Sequence, residues 1–222
     1  MKLDDLALEI VTELRSTVGR ERFVYDDGDA HISAEHTKKV EELVHKGVTQ
    51  EDFVNALIHA NDQFADNFIQ AKIDRSTLTS GEAHVADALR EVEKTENPAL
   101  IDSAREFART LLSNEILGSR YRNTGAYGES LGEQRLCIST NASWVGRLVE
   151  AGKAIHNALE GNFESSRHSV GINYFADANA YDSASRALKS CAKAFRADVK
   201  DHLAASPPKP GLDANHQFNM NG

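Results

Sequence analysis

Three short patterns in the chain carry the residue types of a reactive or metal-binding site. His59, Asp62 and Asp66 recur at spacings of three and four, as metal ligands or an acid–base stripe on one helix face would. Glu42 and His45 form a Glu-x-x-His pair, which di-iron bundles use together with several inward-facing carboxylates. Asp26, Asp27 and Asp29 crowd a turn with the composition of a calcium loop. Each pattern lacks something its chemistry requires. The His59 stripe falls in the middle of a polar arc, where a solvated face is expected. The Glu42–His45 pair points away from the apolar side set by Val40, Leu43 and Val44. The aspartate turn lacks the twelve-residue spacing and terminal Glu of a calcium loop. The sequence therefore predicts no metal site, no cofactor and no catalytic constellation.

The cations are more telling. Arg186, Lys189, Lys193, Arg196 and Lys200 recur at three, four, three and four, which places five positive charges on one stripe of a helix. The formal net charge is −9, so this is the strongest electrostatic feature of the sequence. Part of it complements the negative C-terminal end of a helix dipole. The remainder is either an ordinary solvated face, with pairs such as Asp182–Arg186, or the complement of an acidic partner surface, nucleic acid or the chain's own acidic segment around Asp26 to Asp66. A second cationic group, Arg120, Tyr121 and Arg122, lies in the glycine-rich stretch Gly118–Gly132. There the arginines could clamp a phosphate or carboxylate, and the tyrosine could stack on a base or pack on a partner.

The expected function is a non-enzymatic helical interaction or assembly subunit. It would dock to a macromolecular partner through the 186–200 stripe and an extended C-terminal tail, with a protein partner or self-association expected and no membrane. An alternative comes from a resemblance. Arg196-x5-His202 resembles the Arg-x(4–6)-His pattern of HEPN-type ribonucleases, which are all-helical. The resemblance implies a phosphate-directed enzyme in which Arg196 and His202 act at an RNA phosphate, helped by Arg120 and Arg122. Position 197 departs from that pattern, being Ala where the family carries a polar residue.

These groups must be held by helices. Between Thr49 and Ile73, Phe53, Leu57, Ala60, Phe64, Phe68 and Ala71 fall in one narrow sector. Val54, Ile58, Ala65 and Ile69 widen it, so the helix should touch two or more neighbours. Thr49 is a good N-cap, and Glu51 and Asp52 suit the first turn. Further amphipathic runs predict helices over 3–18, 33–46, 80–94, 98–117, 141–159 and 180–204. Together they describe a mostly α protein, a multi-helix bundle of about seven helices, with room for a small β-hairpin or short sheet. Residues 22–32 read as a short hairpin or a structured loop, Arg135–Ser139 as a strand, and Val170–Phe175 as a strand that could pair with it.

The expected organisation is an N-terminal helical bundle over 1–117, a Gly-rich loop and candidate strand over 118–140, a C-terminal helical pair over 141–205 packing on the bundle, and an extended tail over 206–222. Hydrophobic residues make up 41% and charged residues 27% of the chain, proportions of a folded soluble protein. An acidic total disfavours indiscriminate nucleic-acid binding. No apolar run approaches membrane-spanning length, and the amphipathic N-terminus is unlike a secretory signal. Cys137 and Cys191 have no metal-type spacing and read as reduced thiols, so a cytoplasmic location is expected.

Overall fold

A computed structural model describes residues 2–18, 29–113, 116–123, 134–140, 152–153, 155–160 and 178–205. The elements in order are α1 (Leu3–Val18), β1 (Asp29–His31), α2 (Ala34–His45), α3 (Gln50–Ile69), a 3-10 turn (Arg75–Thr77), α4 (Ser80–Glu93), α5 (Pro98–Ser113), β2 (Ile116–Asn123), β3 (Gln134–Thr140) and α6 (Ala178–Ala205). Residues 152–153 and 155–159 are helical as well. The fold is mostly α, as the apolar periodicity predicts.

Two helices, not one, occupy the centre. α3 buries Phe53, Leu57, Ala60, Phe64 and Phe68, the ridge read from the sequence. Ala71 is past the helix end, exposed and at positive φ. α5 buries Leu100, Ala104, Phe107, Ala108, Leu111 and Leu112. α3 packs on α1 and α5, while α5 packs on α3, α4 and α6. Caps start these helices where local chemistry dictates. Thr49 and Asp52 form a capping box at α3, and Thr79 and Glu82 form another at α4, each satisfying backbone N–H groups that the first turn leaves open. The Asn97 side-chain oxygen accepts from Leu100 N at 3.3 Å, and Pro98 then stands at the first helical position, where its missing N–H is harmless.

Buried polar groups lock the helices together. Glu82 is fully buried and takes a two-pronged ion pair from Arg15, with Nε 2.8 Å and Nη2 2.6 Å from its oxygens. The Arg15 guanidinium also lies 3.5 Å from the Phe64 ring centroid, a cation–π contact. One side chain of α1 thus reaches α3 and α4 together. Asn61, also buried, donates its amide to the carbonyls of Leu112 and Ser113 at 2.9 and 3.0 Å. It thereby fills acceptors that the C-terminal turn of α5 leaves open. On the outer side of α1, His36 sits between Glu13 and Glu9, and Lys39 joins Glu9 to Glu35 at 3.2 and 3.0 Å.

The three strands form one antiparallel sheet in the order β1-β3-β2. Leu136 and Ile138 of β3 are buried, and Leu136 N donates to Thr37 Oγ1 at 3.3 Å, fixing the sheet to α2. This corrects one local expectation. The stretch from Gly118 is not a loop at its start: α5 stops at Ser113, and residues 116–123 pair with β3. Segment 29–31 is a strand and pairs with β3, while the local hairpin expected with residues 22–25 lies outside the described residues. Both segments are strands because β3 pairs with them on its two sides, and β-propensity yields to such context. Gly152 marks a close approach of another kind. A Cβ there would meet the His84 carbonyl carbon at 2.9 Å, so only glycine lets this helical stretch lie so near α4. From there Ile155 and Ala158 enter the core. The expectations for residues 22–25, the aspartates 26 and 27, loop residues 124–132, the first part of the 141–159 helix, Val170–Phe175 and the tail from Ser206 fall outside the described residues.

Candidate interaction surface on the last helix

α6 runs antiparallel to α5. The Phe107 and Phe195 rings stack with centroids 6.1 Å apart and planes 2° apart. Thr110 Oγ1 lies 3.3 Å from Cys191 Sγ, and Asn97 Nδ2 lies 3.4 Å from His202 Nδ1. Leu188, Phe195 and Val199 are buried and lie within a sector of roughly 40° at the helical rotation. They form the apolar side of the amphipathic run expected over 180–204. With Cys191 level with Thr110 and α5 ending at Ser113, α6 extends beyond the end of α5 by residues 178–187, roughly 15 Å of helix.

The basic stripe lies beside that ridge. Its five cations occupy a sector of roughly 80°, centred about 120° from the buried direction. Arg186, Lys189, Lys193 and Lys200 are exposed, and Arg196 is half-buried. Arg186 donates to Ser183 Oγ at 3.5 Å. Lys189 and Lys193 have no carboxylate partner among the described residues. Arg196, Lys200 and His202 are engaged by neighbours. The stripe therefore has two parts: a tethered end over 196–202 and an open end over 186–193.

Arg120, Tyr121 and Arg122 belong to β2, apart from this stripe. The register sets Arg120 opposite Cys137, Tyr121 opposite Leu136 and Arg122 opposite Arg135. Arg196 and His202 both lie on α6, six residues apart. That separates them by about 9 Å along the axis and about 120° around it, so one helix does not aim them at a common point. His202 instead meets Asn97.

The remaining candidates divide by burial. Glu42 and His45 are exposed, as their position off the apolar face predicts. On α3, Asn55 and His59 are exposed, but Asp62 and Asp66 are half-buried. Asp66 accepts from Arg109 Nε at 2.6 Å, tying the polar face of α3 to α5. Burial raises the Asp62 carboxyl above the ordinary Asp value, against the lowering effect of Arg109. This arc is thus partly an inter-helix seam and not wholly a solvated face. Among the described residues, no three His, Cys, Asp or Glu side chains gather to hold a metal ion, and no helix is long and apolar enough to cross a membrane.

No family model matches the chain, and no curated protein or solved structure shows significant similarity to it.

Proposed function

We propose that the chain is a non-enzymatic helical interaction or assembly subunit that docks a macromolecular partner through the α6 stripe, with the segment from Ser206 onward as a second contact. The observation that carries this reading is the open end of the stripe. Arg186, Lys189 and Lys193 stand exposed at three- and four-residue spacing, and the two lysines have no carboxylate partner among the described residues. Like charges at these spacings destabilise a helix by about 0.2–0.5 kcal/mol per pair. Helix α6 is already held by Leu188, Phe195 and Val199 on its other side, so folding has no use for this repulsion. An acidic partner would relieve it.

Affinity purification of the chain from its native host, with protein and nucleic acid both analysed, tests the reading. The K189E/K193E double variant should lose the partner that wild type retains. The control K72E, at an exposed lysine beyond α3, should keep it, and neither variant should melt below wild type. Retention of the same partner by K189E/K193E would overturn the proposal.

A further inference from the structure

Apolar burial does little to hold α2 in place. The helix buries two of its twelve residues, Thr37 and Val40, whereas α3 buries eight of twenty. Its first turn is tied to α1 by polar groups instead. The His36 ring sits between Glu9 and Glu13, which lie one turn apart on α1. Nδ1 meets Glu13 Oε2, and Nε2 lies 3.3 Å from Glu9 Oε2. The other Glu13 oxygen accepts from Ser33 N at 3.0 Å, and Ser33 is the N-cap of α2. Both oxygens of Glu13 therefore tether the start of α2, one of them through His36. The imidazole is only 17% exposed, so little water reaches it to replace either carboxylate.

A neutral imidazole carries one N–H and one bare nitrogen. Between two carboxylate oxygens it donates to one and turns a lone pair on the other. The imidazolium donates to both, and both bonds are then charge-assisted. The described charges around the ring are Glu9 and Glu13 from α1, and Glu35 and Lys39 from its own helix. β3 meets α2 through the bond from Leu136 N to Thr37 Oγ1. Lys39 shares Glu9 Oε2 with the ring, and its hydrogen bond holds the Glu9 carboxyl below the ordinary value. Glu9 thus stays ionised across the range in which histidines titrate.

We propose that His36 is a proton-operated latch: its imidazolium holds α2 closed on α1, and loss of the proton loosens α2 while the rest of the helical body stays folded. A loosened α2 offers the ring no such pair of acceptors. Proton uptake therefore favours the closed form and proton loss the open one. The closed form prevails in mildly acid solution and gives way as pH rises through the histidine range, centred at about 6.5. Opening uncovers Val40 and Leu43, which the closed form buries wholly and partly. A change of one charge is thereby converted into exposure of an apolar face.

Hydrogen exchange of the full chain from about pH 5.5 to about pH 8, corrected for the intrinsic rate at each pH, tests this. Helix α5, which contains no histidine, serves as the internal reference. Protection of α2 relative to α5 should fall by about tenfold or more across that range, the worth of one charge-assisted hydrogen bond. H36Q cannot gain or lose the charge, so its α2-to-α5 ratio should be low and flat. E13Q keeps an acceptor for Ser33 N but loses its charge, and should flatten the slope as well. H45Q, at the exposed histidine in the last turn of α2, should keep the wild-type slope. A wild-type ratio that does not move with pH, a slope that survives in H36Q, or one abolished in H45Q would overturn the inference. Loss of protection in α2 and α5 in step would also overturn it, because the whole body would then be opening and not the latch.

Discussion

Arg15 and Lys189 are both cations on amphipathic helices, and they stand in opposite circumstances. Arg15 is spent on the fold. It grips buried Glu82 with two nitrogens and covers the Phe64 ring, so that α1, α3 and α4 meet around one guanidinium. Lys189 does nothing for the fold that the structure reveals: it is exposed, it lies between Arg186 and Lys193 at helical spacing, and no described carboxylate meets it. A charge that the interior cannot lose and a charge that the fold would be eased by losing are different kinds of residue. The first kind holds the architecture together, and the second is left exposed by it.

Mutations should widen this contrast. The largest effect is expected at the buried end. Glu82→Ala leaves the Arg15 charge half-buried without its partner, and should lower stability by about 3–5 kcal/mol in denaturant unfolding. Phe64→Ala should cost a similar amount, about 3–5 kcal/mol, because it opens the α3 ridge and removes the ring under Arg15. A wild-type melting temperature in either variant would break the comparison at its stronger side. Asn61→Ala strips the donor from the Leu112 and Ser113 carbonyls and should cost about 1–3 kcal/mol, with hydrogen exchange quickening first at the α5–β2 junction.

At the exposed end the sign should reverse. Lys193→Glu turns two repulsive neighbours, Lys189 and Arg196, into attractive ones, and should raise stability by about 0.2–0.5 kcal/mol per pair while weakening partner binding. A clear loss of stability would show that Lys193 serves the fold after all. Asp62→Asn should produce the smallest change, within about 0.5 kcal/mol at neutral pH, and its signature lies in pH. Burial raises the folded-state value of Asp62 above its unfolded one. The unfolded chain therefore releases that proton first, and wild-type stability falls as pH rises from the ordinary Asp value to the raised one. The Asn variant should lack that slope in acid-to-neutral unfolding titrations.

Much of the helical framework was legible before any coordinates. The Phe53–Phe68 ridge, the Thr49 cap, the Asn97-Pro98 start and the Leu188–Phe195–Val199 ridge all follow from side chains recurring every three or four residues and from capping chemistry. The stripe of α6 follows from the same rotation. The Thr79–Glu82 capping box was also written in the chain, as Thr-x-x-Glu, although the apolar run pointed to Ser80 as the opening. That spacing could have marked Glu82 as more than a surface acid.

The alternation of side chains along a helix is local, and so residue order alone determined which faces are oily, where the turns begin and which cations share a stripe. Tertiary structure decided the rest, because it depends on neighbours remote in the chain. Residues 116–123 became a strand and not the start of a loop because β3 supplies a partner for their backbone. Glu82 could be buried because Arg15, far away in sequence, arrives with a matching charge. Asn61 entered the core because α5 ends beside it with carbonyls to fill. Desolvation, pairing and hydrogen-bond satisfaction are properties of surroundings, and a one-dimensional pattern does not contain them.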